Sequence, residues 1–345
     1  MKMKHHIQII IGCGLISVGL ICSVVGIACG GLDYEKYLET MNLEDRVDTP
    51  TEHFSSVLID AESAEVTVKT GDSLSIAASA VETDGYSVTV ENDMLQVKQQ
   101  RTDGNITLGF EPQAKIEITL LETDYLSLAA AIDFGDCIVQ GVAVSTLSLQ
   151  TDSGDCTISD CTAASCTITV DYGDCMLSDT AIDGTAMVTL DCGDLEIENT
   201  TIQKGLKLES DYGDVAASGV DFGYLEAKLS CGDLTLESCN GSQDTGNSTL
   251  YADYGDMVCT DTVLYDAEFQ LDKGDLMLSG SALYGTSLIQ MELGDLEINL
   301  LGTASDYRMI MVAYWDSSEE LDQEENNIIL DVDETTYDVE ITYVK

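Results

Sequence analysis

Proline and basic residues are scarce in this sequence, and each scarcity narrows the classes of protein it can form. Only two prolines occur, Pro50 and Pro112, and both precede the regular part of the chain. Because proline cannot donate a ladder hydrogen bond, a long stretch without it is typical of continuous sheets. Lysine and arginine number 14 against 63 acidic residues, which gives a formal net charge of −49. Such a field repels nucleic acid and anionic lipid, so we expect no nucleic-acid partner. It suits cationic partners, and a solvated acidic surface without any partner is the alternative that we favour.

Histidine and arginine are absent from residues 122–300, and this absence argues against an enzyme. The histidines are His5, His6 and His53, and the arginines are Arg46, Arg101 and Arg308. A hydrolase or lyase site combines carboxylates with a basic group or a metal in one place. Here the acidic residues are plentiful but evenly spread. The sequence therefore predicts a non-enzymatic protein without catalytic, cofactor-binding or metal-binding residues.

A short Gly-Asp signal recurs nine times between Ile132 and Ile298, and it organises the rest of the chain. Each copy has an acidic residue, any residue, Gly, Asp and an apolar residue, except that Ser230 replaces the first acid in one copy. The glycines are Gly135, Gly154, Gly173, Gly193, Gly213, Gly232, Gly255, Gly274 and Gly294. They stand 19 to 23 residues apart. A constant period near 20 residues is typical of a solenoid built from stacked coils.

Apolar residues keep fixed distances from each glycine, and these distances indicate the secondary structure. Around Gly193, for example, Leu195 and Ile197 lie two and four places after the glycine. Offsets that differ by two indicate strands, whereas helices need offsets of three and four. A further apolar position nine places after the glycine, such as Ile202, predicts a third short face. We therefore predict an all-β fold, a parallel β-helix or β-solenoid of about nine 19–20-residue coils over residues 122–300.

The Gly-Asp pair predicts a sharp corner between two strands of a coil. Glycine adopts positive φ angles without steric cost, and aspartate side chains accept hydrogen bonds from nearby backbone N–H groups. A second interpretation stays open, because two stacked columns of carboxylates offer the oxygen ligands that Ca²⁺ prefers. Two carboxylates about 5 Å apart in water repel by roughly 1 kcal/mol, so such columns are tolerable without a metal. The alternative function is a Ca²⁺-responsive surface protein.

Twelve cysteines occur, and their positions predict buried residues rather than a metal site. Three lie in the apolar N-terminal segment, and the nine that follow show no Cys-x-x-Cys spacing of the zinc-binding type. Cys137, Cys156 and Cys175 occupy a core column that leucine fills in later coils. We interpret them as small buried hydrophobic residues. Disulfides between neighbouring coils are the alternative that the sequence leaves open.

An uncharged segment of 26 residues, Ile7 to Leu32, lies near the N-terminus. It is long enough for a bilayer core, which takes about 20 residues. Lysines precede it and acidic residues follow it, so the positive-inside rule predicts a single-pass cell-membrane protein with an extracellular solenoid. Residues 1–6 form the cytoplasmic tail, 7–31 an uncleaved transmembrane signal-anchor helix and 32–53 a juxtamembrane linker. A cleaved signal peptide and a lipoprotein attached through Cys29 are the two alternatives.

The period weakens at both ends of the repeats, which predicts caps over the terminal strand edges. Residues 54–121 contain short strands without a 20-residue period, and we interpret them as a β-rich N-terminal cap. Residues 301–345 form a C-terminal β cap, in which Trp315, the one tryptophan, fills the end of the core. An insertion at 240–247 lengthens one repeat, and we expect it to bulge from a corner as a loop.

Several of these segments resemble a known bacterial family. Phe54 to Asp60, Ala64 to Val68 and Tyr125 to Leu128, followed by Gly-Asp-apolar-x-apolar repeats, are similar to the DUF4097-type family of adhesin-like proteins. The resemblance extends from Phe54 to the C-terminus. It implies a β-helix on the outer face of the cell membrane with a role in adhesion or envelope-stress signalling, and no catalytic residues. Leu121 is a departure, because relatives usually have proline there.

The combined prediction is a membrane-anchored extracytoplasmic β-solenoid. We expect it to act as a non-catalytic, adhesin-like binding scaffold or as an envelope-stress signalling scaffold. Its partners are the membrane, through residues 7–31, and a protein or envelope component for which the acidic surface favours positive charge. A polysaccharide-active β-helix enzyme is the disfavoured alternative, because the chain concentrates no reactive groups.

Overall fold

The structure, a computed structural model, describes residues 42–101, 113–121, 123–243, 245–312, 326–332 and 339–344. Within these ranges it consists of strands β1 to β29, numbered in chain order, and contains no α-helix. No helix in the described ranges is both long and apolar enough to cross a membrane. The tail, the predicted anchor and Trp315 lie outside the described residues. The prediction of an all-β fold is confirmed for the part of the chain that is described.

Twelve parallel strands form one continuous face of a rod, which we call sheet A. Most of them begin directly after a Gly-Asp pair. In spatial order they are β6 (Ala114–Leu121), β2 (Ser56–Gly71), β8 (Cys137–Gln140), β10 (Cys156–Ser159), β12 (Cys175–Ser178), β15 (Leu195–Glu198), β17 (Val215–Ser218), β19 (Leu234–Glu237), β21 (Met257–Thr260), β24 (Leu276–Tyr284), β26 (Leu296–Leu301) and β29 (Val339–Val344).

The strands that lead into the Gly-Asp corners form a second parallel face, sheet B. In spatial order they are β5 (Met94–Gln99), β2, β7 (Tyr125–Phe134), β9 (Ala143–Ser153), β11 (Thr162–Tyr172), β14 (Thr185–Cys192), β16 (Thr201–Tyr212), β18 (Asp221–Cys231), β20 (Thr249–Tyr254), β23 (Glu268–Lys273), β25 (Thr286–Leu293), β28 (Asn326–Val332) and β27 (Tyr307–Val312). The predicted third face is present as β13 (Ala181–Ile182), β22 (Val263–Tyr265) and the first residues of several sheet B strands. The predicted parallel β-solenoid is therefore confirmed.

Inward side chains at equivalent positions stack into columns between the faces. Ile197 pairs with Leu177 of one neighbouring coil and Ala217 of the other, and all three are buried. Leu195 pairs with Val215 in the same way. Neighbouring parallel strands lie about 4.8 Å apart, so each column is a line of touching apolar groups. The interior is the continuous dry core that a 20-residue period requires.

A second corner lies six residues after eight of the nine glycines, from Gly135 to Gly274, and the sequence analysis did not identify it. Its residues adopt left-handed conformations with φ between 48 and 67°. They are Gly141, Asp160, Asp179, Asn199, Gly219, Ser238, Asp261 and Gly280. Because Gly, Asn and Asp tolerate this conformation best, the column of these residues was a readable signal. Only Ser238 departs from it.

Buried polar residues follow this second corner and form a hydrogen-bonded column. Thr180 Oγ1 accepts a bond from the backbone N–H of Cys161 at 3.3 Å and donates to the Ser178 carbonyl at 2.9 Å. The column contains Cys161, Thr180, Thr200, Cys239, Thr262 and Ser281. The two cysteine thiols also donate to backbone carbonyls. The hydroxyl groups of Thr180, Thr200, Thr262 and Ser281 in this column are therefore hydrogen-bonded although they are buried.

Length differences between coils fall at the third corner. In the coil after Gly173, Ile182 pairs with Ala163 and Ala186 pairs with Cys166. Three residues separate the two paired positions in this coil, whereas two separate them in the neighbouring coil. The extra residue of the 20-residue coil lies in that gap. The insertion at 240–247 falls at the same corner and has no strand structure beyond an isolated bridge at Asn240 in the residues described. The Gly-Asp corner keeps a constant length along the rod, and the second corner changes only in the last coil, where the pairing shifts register between Ser279 and Ser281.

At the N-terminal end of the rod, the order in the chain differs from the order in space. Strand β2 pairs in parallel with β7 and β8 on one side and with β5 and β6 on the other. Parallel stacking therefore begins inside the segment 54–121 that we interpreted as a cap. Strands β1 (Leu43–Asp48), β3 (Ser75–Glu82) and β4 (Tyr86–Glu91) then form antiparallel pairs at this end.

The C-terminal end repeats this departure from chain order. Strand β28 lies between β25 and β27, although β27 precedes it in the sequence. Strand β29 continues sheet A by pairing with β26. Segment 301–345 thus extends both faces by parallel pairing and leaves β27 outermost in sheet B.

Replacing one stacked core residue tests the dry interior. Ile197→Ala should lower the free energy of unfolding by about 3 kcal/mol, because it removes buried methyl groups and leaves a cavity. Glu196→Ala changes the exposed neighbour on the same strand and should alter stability by less than about 0.5 kcal/mol. Urea unfolding of the full chain, followed by circular dichroism, measures both. Equal losses in the two variants would contradict the stacked core.

Candidate functional site

The Gly-Asp corner is the most regular outward feature of the rod, and its geometry explains the glycine. The nine corner glycines have φ between 136 and 152°. A Cβ atom on Gly193 would lie 1.9 Å from the carbonyl oxygen of Gly173 in the neighbouring coil. For every corner glycine from Gly154 to Gly294, an added Cβ would lie 1.9 to 2.3 Å from the carbonyl oxygen of the preceding corner glycine. No residue with a side chain fits such a contact.

The aspartate after each glycine bonds to the next coil. Oδ1 of Asp174 accepts a hydrogen bond from the backbone N–H of Asp194 at 2.9 Å, and Oδ1 of Asp194 accepts one from Asp214 at 2.9 Å. The same bond joins every consecutive pair from Asp136 to Asp295, at 2.8 to 3.0 Å. Each carboxylate thus satisfies a backbone N–H at the corner. This column of aspartates is part of the scaffold.

The acids two places before each glycine form a separate column on the other flank of the corner. They are Asp133, Asp152, Asp171, Asp191, Asp211, Asp253, Asp272 and Glu292, with Ser230 interrupting the series. Burial raises the pKa of Asp171, and the negative charges of Asp152 and Asp191 raise it further. Burial and then the charge of Asp152 likewise raise the pKa of Asp133. This column repels itself and therefore favours positive charge nearby.

Between the two acidic columns, the residue directly before each glycine faces solvent, and aromatic rings occupy alternate coils. We call these rings the corner stripe: Phe134, Tyr172, Tyr212 and Tyr254, which are 50 to 63% exposed. The coils between them carry Ser153, Cys192 and Cys231 in the same register. Two coil steps of about 4.8 Å separate successive rings by about 9.6 Å. Large rings exposed in a regular line are characteristic of binding surfaces.

A cation already lies on this stripe. Lys273 occupies the next coil of the same column and pairs in register with Tyr254. Its Nζ lies 4.1 Å from the centroid of the Tyr254 ring and donates a hydrogen bond to the phenol oxygen at 2.6 Å. That hydrogen bond raises the pKa of Lys273, so the ammonium group stays charged. The stripe can therefore accommodate a cation beside a ring.

The nine cysteines after residue 32 are free thiols, and no disulfide joins any of them. Seven are buried, whereas Cys192 and Cys231 are half-buried beside the stripe. Cys137, Cys156 and Cys175 pair in register within the core. A hydrogen bond with Cys156 and burial both raise the pKa of Cys137. The interpretation of this column as small buried residues is confirmed.

His53, the one histidine in the described residues, does not form a catalytic pair. Its Nδ1 lies 3.0 Å from Oδ1 of Asp93, and Ser55 donates to the other oxygen of the same carboxylate. A nucleophilic serine would hydrogen-bond to the histidine instead. In the described parts of the chain, no group of three or more His, Cys, Asp or Glu side chains is arranged to hold a metal ion.

The structure distinguishes between the two interpretations of the acidic residues. The aspartate after each glycine already accepts a backbone N–H, which favours the corner interpretation. The Ca²⁺-responsive alternative stays a prediction. The sequence analysis missed the aromatic column, although its signal was readable in the residue before each glycine. The repeat signal leaves that position variable, because aromatic residues occupy it only in alternate coils.

Two substitutions at Asp194 separate a structural carboxylate from a metal ligand. Asp194→Asn retains an Oδ1 acceptor and should leave stability within about 0.5 kcal/mol, whereas Asp194→Ala loses the bond and should cost about 1 kcal/mol. Urea unfolding of the full chain in EDTA, Ca²⁺ and Mg²⁺ at matched ionic strength measures this. A stabilisation specific to Ca²⁺ that both substitutions abolish would contradict the corner interpretation.

The raised pKa values of Asp133 and Asp171 make stability depend on pH. Their unfolded-state pKa is 3.8, so their contribution to stability is fully present below pH 3.8 and is lost as the pH rises through the higher folded values. Asp171→Asn should flatten this part of the profile of unfolding free energy against pH. Hydrogen bonds from Ser55 and His53 lower the pKa of Asp93, so the ionised carboxylate stabilises the fold and this stabilisation is lost as the pH falls. Asp93→Asn should remove that pH-dependent part of the unfolding free energy. An unchanged profile for Asp171→Asn would contradict the self-repelling column.

Solved structures to which the chain is similar share little sequence with it. A "putative adhesin" from Bacteroides fragilis NCTC 9343 has 16% identity and a TM-score of 0.36, covering 72% of this chain and 96% of its own. A "putative adhesin" from Parabacteroides merdae ATCC 43184 has 12% identity and a TM-score of 0.33, with the same coverage of 72% and 96%. A "putative lipid binding protein" from Parabacteroides distasonis ATCC 8503 has 13% identity and a TM-score of 0.33, covering 88% and 97%. TM-scores of 0.33 to 0.36 are too low to establish a shared fold or a shared function.

The sequence itself decides the family. No curated protein matches the chain. The profile of the Toastrack DUF4097 family matches residues 54–246, which is more than half of the 345 residues. The matched part includes β2 and the Gly-Asp corners up to Gly232, so the resemblance carried by Phe54 to Asp60 and the repeats is confirmed. The chain therefore belongs to the Toastrack DUF4097 family.

Proposed function

We propose that this protein is a non-catalytic binding scaffold, held on the outer face of the cell membrane by residues 7–31. The observation that carries the proposal is the regularity of the rod, in which the same corner recurs in nine coils and only the insertion at 240–247 lengthens a coil by more than one residue. An active site concentrates reactive groups in one place and interrupts such a repeat. A scaffold instead presents one surface feature many times.

Adhesion is the role that the surface supports best. The exposed corner displays two columns of carboxylates and the corner stripe, and it repeats them along one edge of the rod. Such a surface suits a cationic protein or envelope component. Envelope-stress signalling, which the family resemblance suggests, is compatible with the same binding surface when the ligand is a stress product.

Membrane attachment rests on the 26 uncharged residues from Ile7 to Leu32 and on the charges that flank them. An uncleaved helix is the form that we propose. A lipid on Cys29 would hold the solenoid on the same side of the membrane, so the location of the rod does not depend on this choice.

Thiol labelling of intact cells tests the location. A membrane-impermeant maleimide should label the full chain through the half-buried Cys192 and Cys231, because the other seven cysteines of the rod are buried. In a Cys29→Ala background, which removes the thiol at the outer end of the predicted anchor, the double variant Cys192→Ser, Cys231→Ser is the matched control and should remain unlabelled. Labelling only after lysis would contradict an extracellular solenoid.

Fractionation of the same cells tests the anchor. The labelled chain should stay with the membranes after an alkaline carbonate wash, which removes peripheral proteins. A Cys29→Ala variant should behave identically if a helix holds the chain. Release of the wild-type chain would contradict the anchor, and release of the variant alone would support the lipoprotein alternative.

A further inference from the structure

We propose that the corner stripe docks an extended, polyproline-like segment of a partner protein that carries a lysine or arginine at every third position. This inference deepens the proposed function and rests on it, because it names the surface and the chemistry of the partner. The observations that carry it are the spacing of the rings, their charged flanks and the lysine that already lies on one of them.

The spacing of the rings selects the conformation of the partner. Successive rings of the stripe lie two coil steps, about 9.6 Å, apart. A polyproline II segment has three residues per turn and rises about 3.1 Å per residue, so side chains three positions apart share one face at about 9.3 Å. Over four rings the difference between the two repeats accumulates to only about 1 Å. Flexible lysine side chains absorb that difference.

The carboxylates beside the rings determine which side chains the partner carries. Tyr172 lies between Asp171 and Asp174, and Tyr212 lies between Asp211 and Asp214. A cation above either ring would therefore face an aromatic surface with carboxylates on two sides, which combines cation–π attraction with charge pairing. Each cation would also relieve the mutual repulsion of the acids. The chain's net charge of −49 draws such a segment toward the rod over a longer distance.

Lys273 shows the proposed contact within the protein. Its ammonium lies 4.1 Å from the centre of the Tyr254 ring, and it reaches that ring from the neighbouring coil of the same column. The three other rings of the stripe have no lysine or arginine in the adjacent coils of this column. Phe134, Tyr172 and Tyr212 thus offer the same type of site to a cation from outside.

The small residues between the rings provide access. Ser153, Cys192 and Cys231 separate the aromatic coils, so the rings do not stack on one another and only a small side chain lies in register on either side of Tyr172 and Tyr212. A second class of polymer, glycans, also stacks on exposed rings. The acidic flanks favour the peptide, because a neutral or anionic sugar gains no charge pairing from them.

Binding of three probes to the full chain in detergent micelles tests the proposal. The first probe is a peptide of four Lys-Pro-Pro triplets, the second has the same composition with its four lysines in one block, and the third is a neutral β-1,4-linked N-acetylglucosamine oligomer. We expect the triplet peptide to bind about tenfold more tightly than the block peptide. Two additional cation–π contacts, each contributing a factor of about 2 to 5, produce that difference.

Variants of the stripe distinguish ring recognition from general charge attraction. The double variant Tyr172→Ala, Tyr212→Ala should weaken triplet binding about tenfold, whereas Tyr172→Phe, Tyr212→Phe should retain it, because the ring supplies the contact. The matched control Met187→Ala, Tyr284→Ala removes exposed apolar groups elsewhere and should change nothing. Lys273→Ala frees the Tyr254 ring and should tighten triplet binding about 2- to 5-fold.

Equal affinity for the triplet and block peptides would overturn the proposal, as would unchanged triplet binding in the double alanine variant. Tyrosine-dependent binding of the sugar oligomer, insensitive to salt and stronger than that of the triplet peptide, would assign the stripe to a glycan instead. None of these results affects thiol labelling on intact cells. Failure of the stripe is thus distinguishable from failure of the proposed function.

Discussion

Successive coils touch backbone to backbone at the Gly-Asp corner, and this contact sets the geometry of the rod. The carbonyl oxygen of each corner glycine lies too close to the next corner glycine for that residue to carry a Cβ. An added Cβ would lie 1.9 to 2.3 Å from the oxygen at the corners from Gly154 to Gly294. The aspartate that follows then closes the contact by accepting the N–H of the next corner at 2.8 to 3.0 Å. Steric exclusion and a charge-assisted hydrogen bond thus act at one point. Every column of side chains is aligned by this corner.

The same constraint explains why an acidic surface repeats so regularly. A side-chain oxygen acceptor is required at one position of the corner, aspartate supplies it in every coil, and alignment forces its copies to lie one coil step apart. Their repulsion is limited by solvent exposure and by the hydrogen bonds that each carboxylate accepts. In the second acidic column, Asp152, Asp211 and Asp272 accept hydrogen bonds from side chains rather than from the backbone of the next corner. That column and the exposed rings between the two columns are the features that folding alone does not explain.

The ends of the rod show how the fold deals with open edges. A stack of parallel strands exposes unpaired backbone groups at each end and invites further pairing. At the N-terminal end, β2 is enclosed between β7 and β5, and antiparallel strands cover the outer coil. At the other end, β28 is enclosed between β25 and β27. Because β2 and β28 each pair on both sides, releasing either strand requires breaking two ladders.

The period, the strand type and the core columns were determined by the sequence itself, because coils of nearly equal length bring residues about 20 apart into contact. Ile197 above Leu177 follows directly from that repeat. The second corner and the corner stripe were also encoded, in the Asp160 column and in Tyr172 and its equivalents, but they were recognised only once the coils were aligned. The positions of β2 and β28 were decided by the tertiary structure alone. Outside the repeats, the sequence has no fixed period from which the partner of a strand can be predicted. Strand pairing there depends on which distant strand satisfies the exposed backbone groups at each end of the rod.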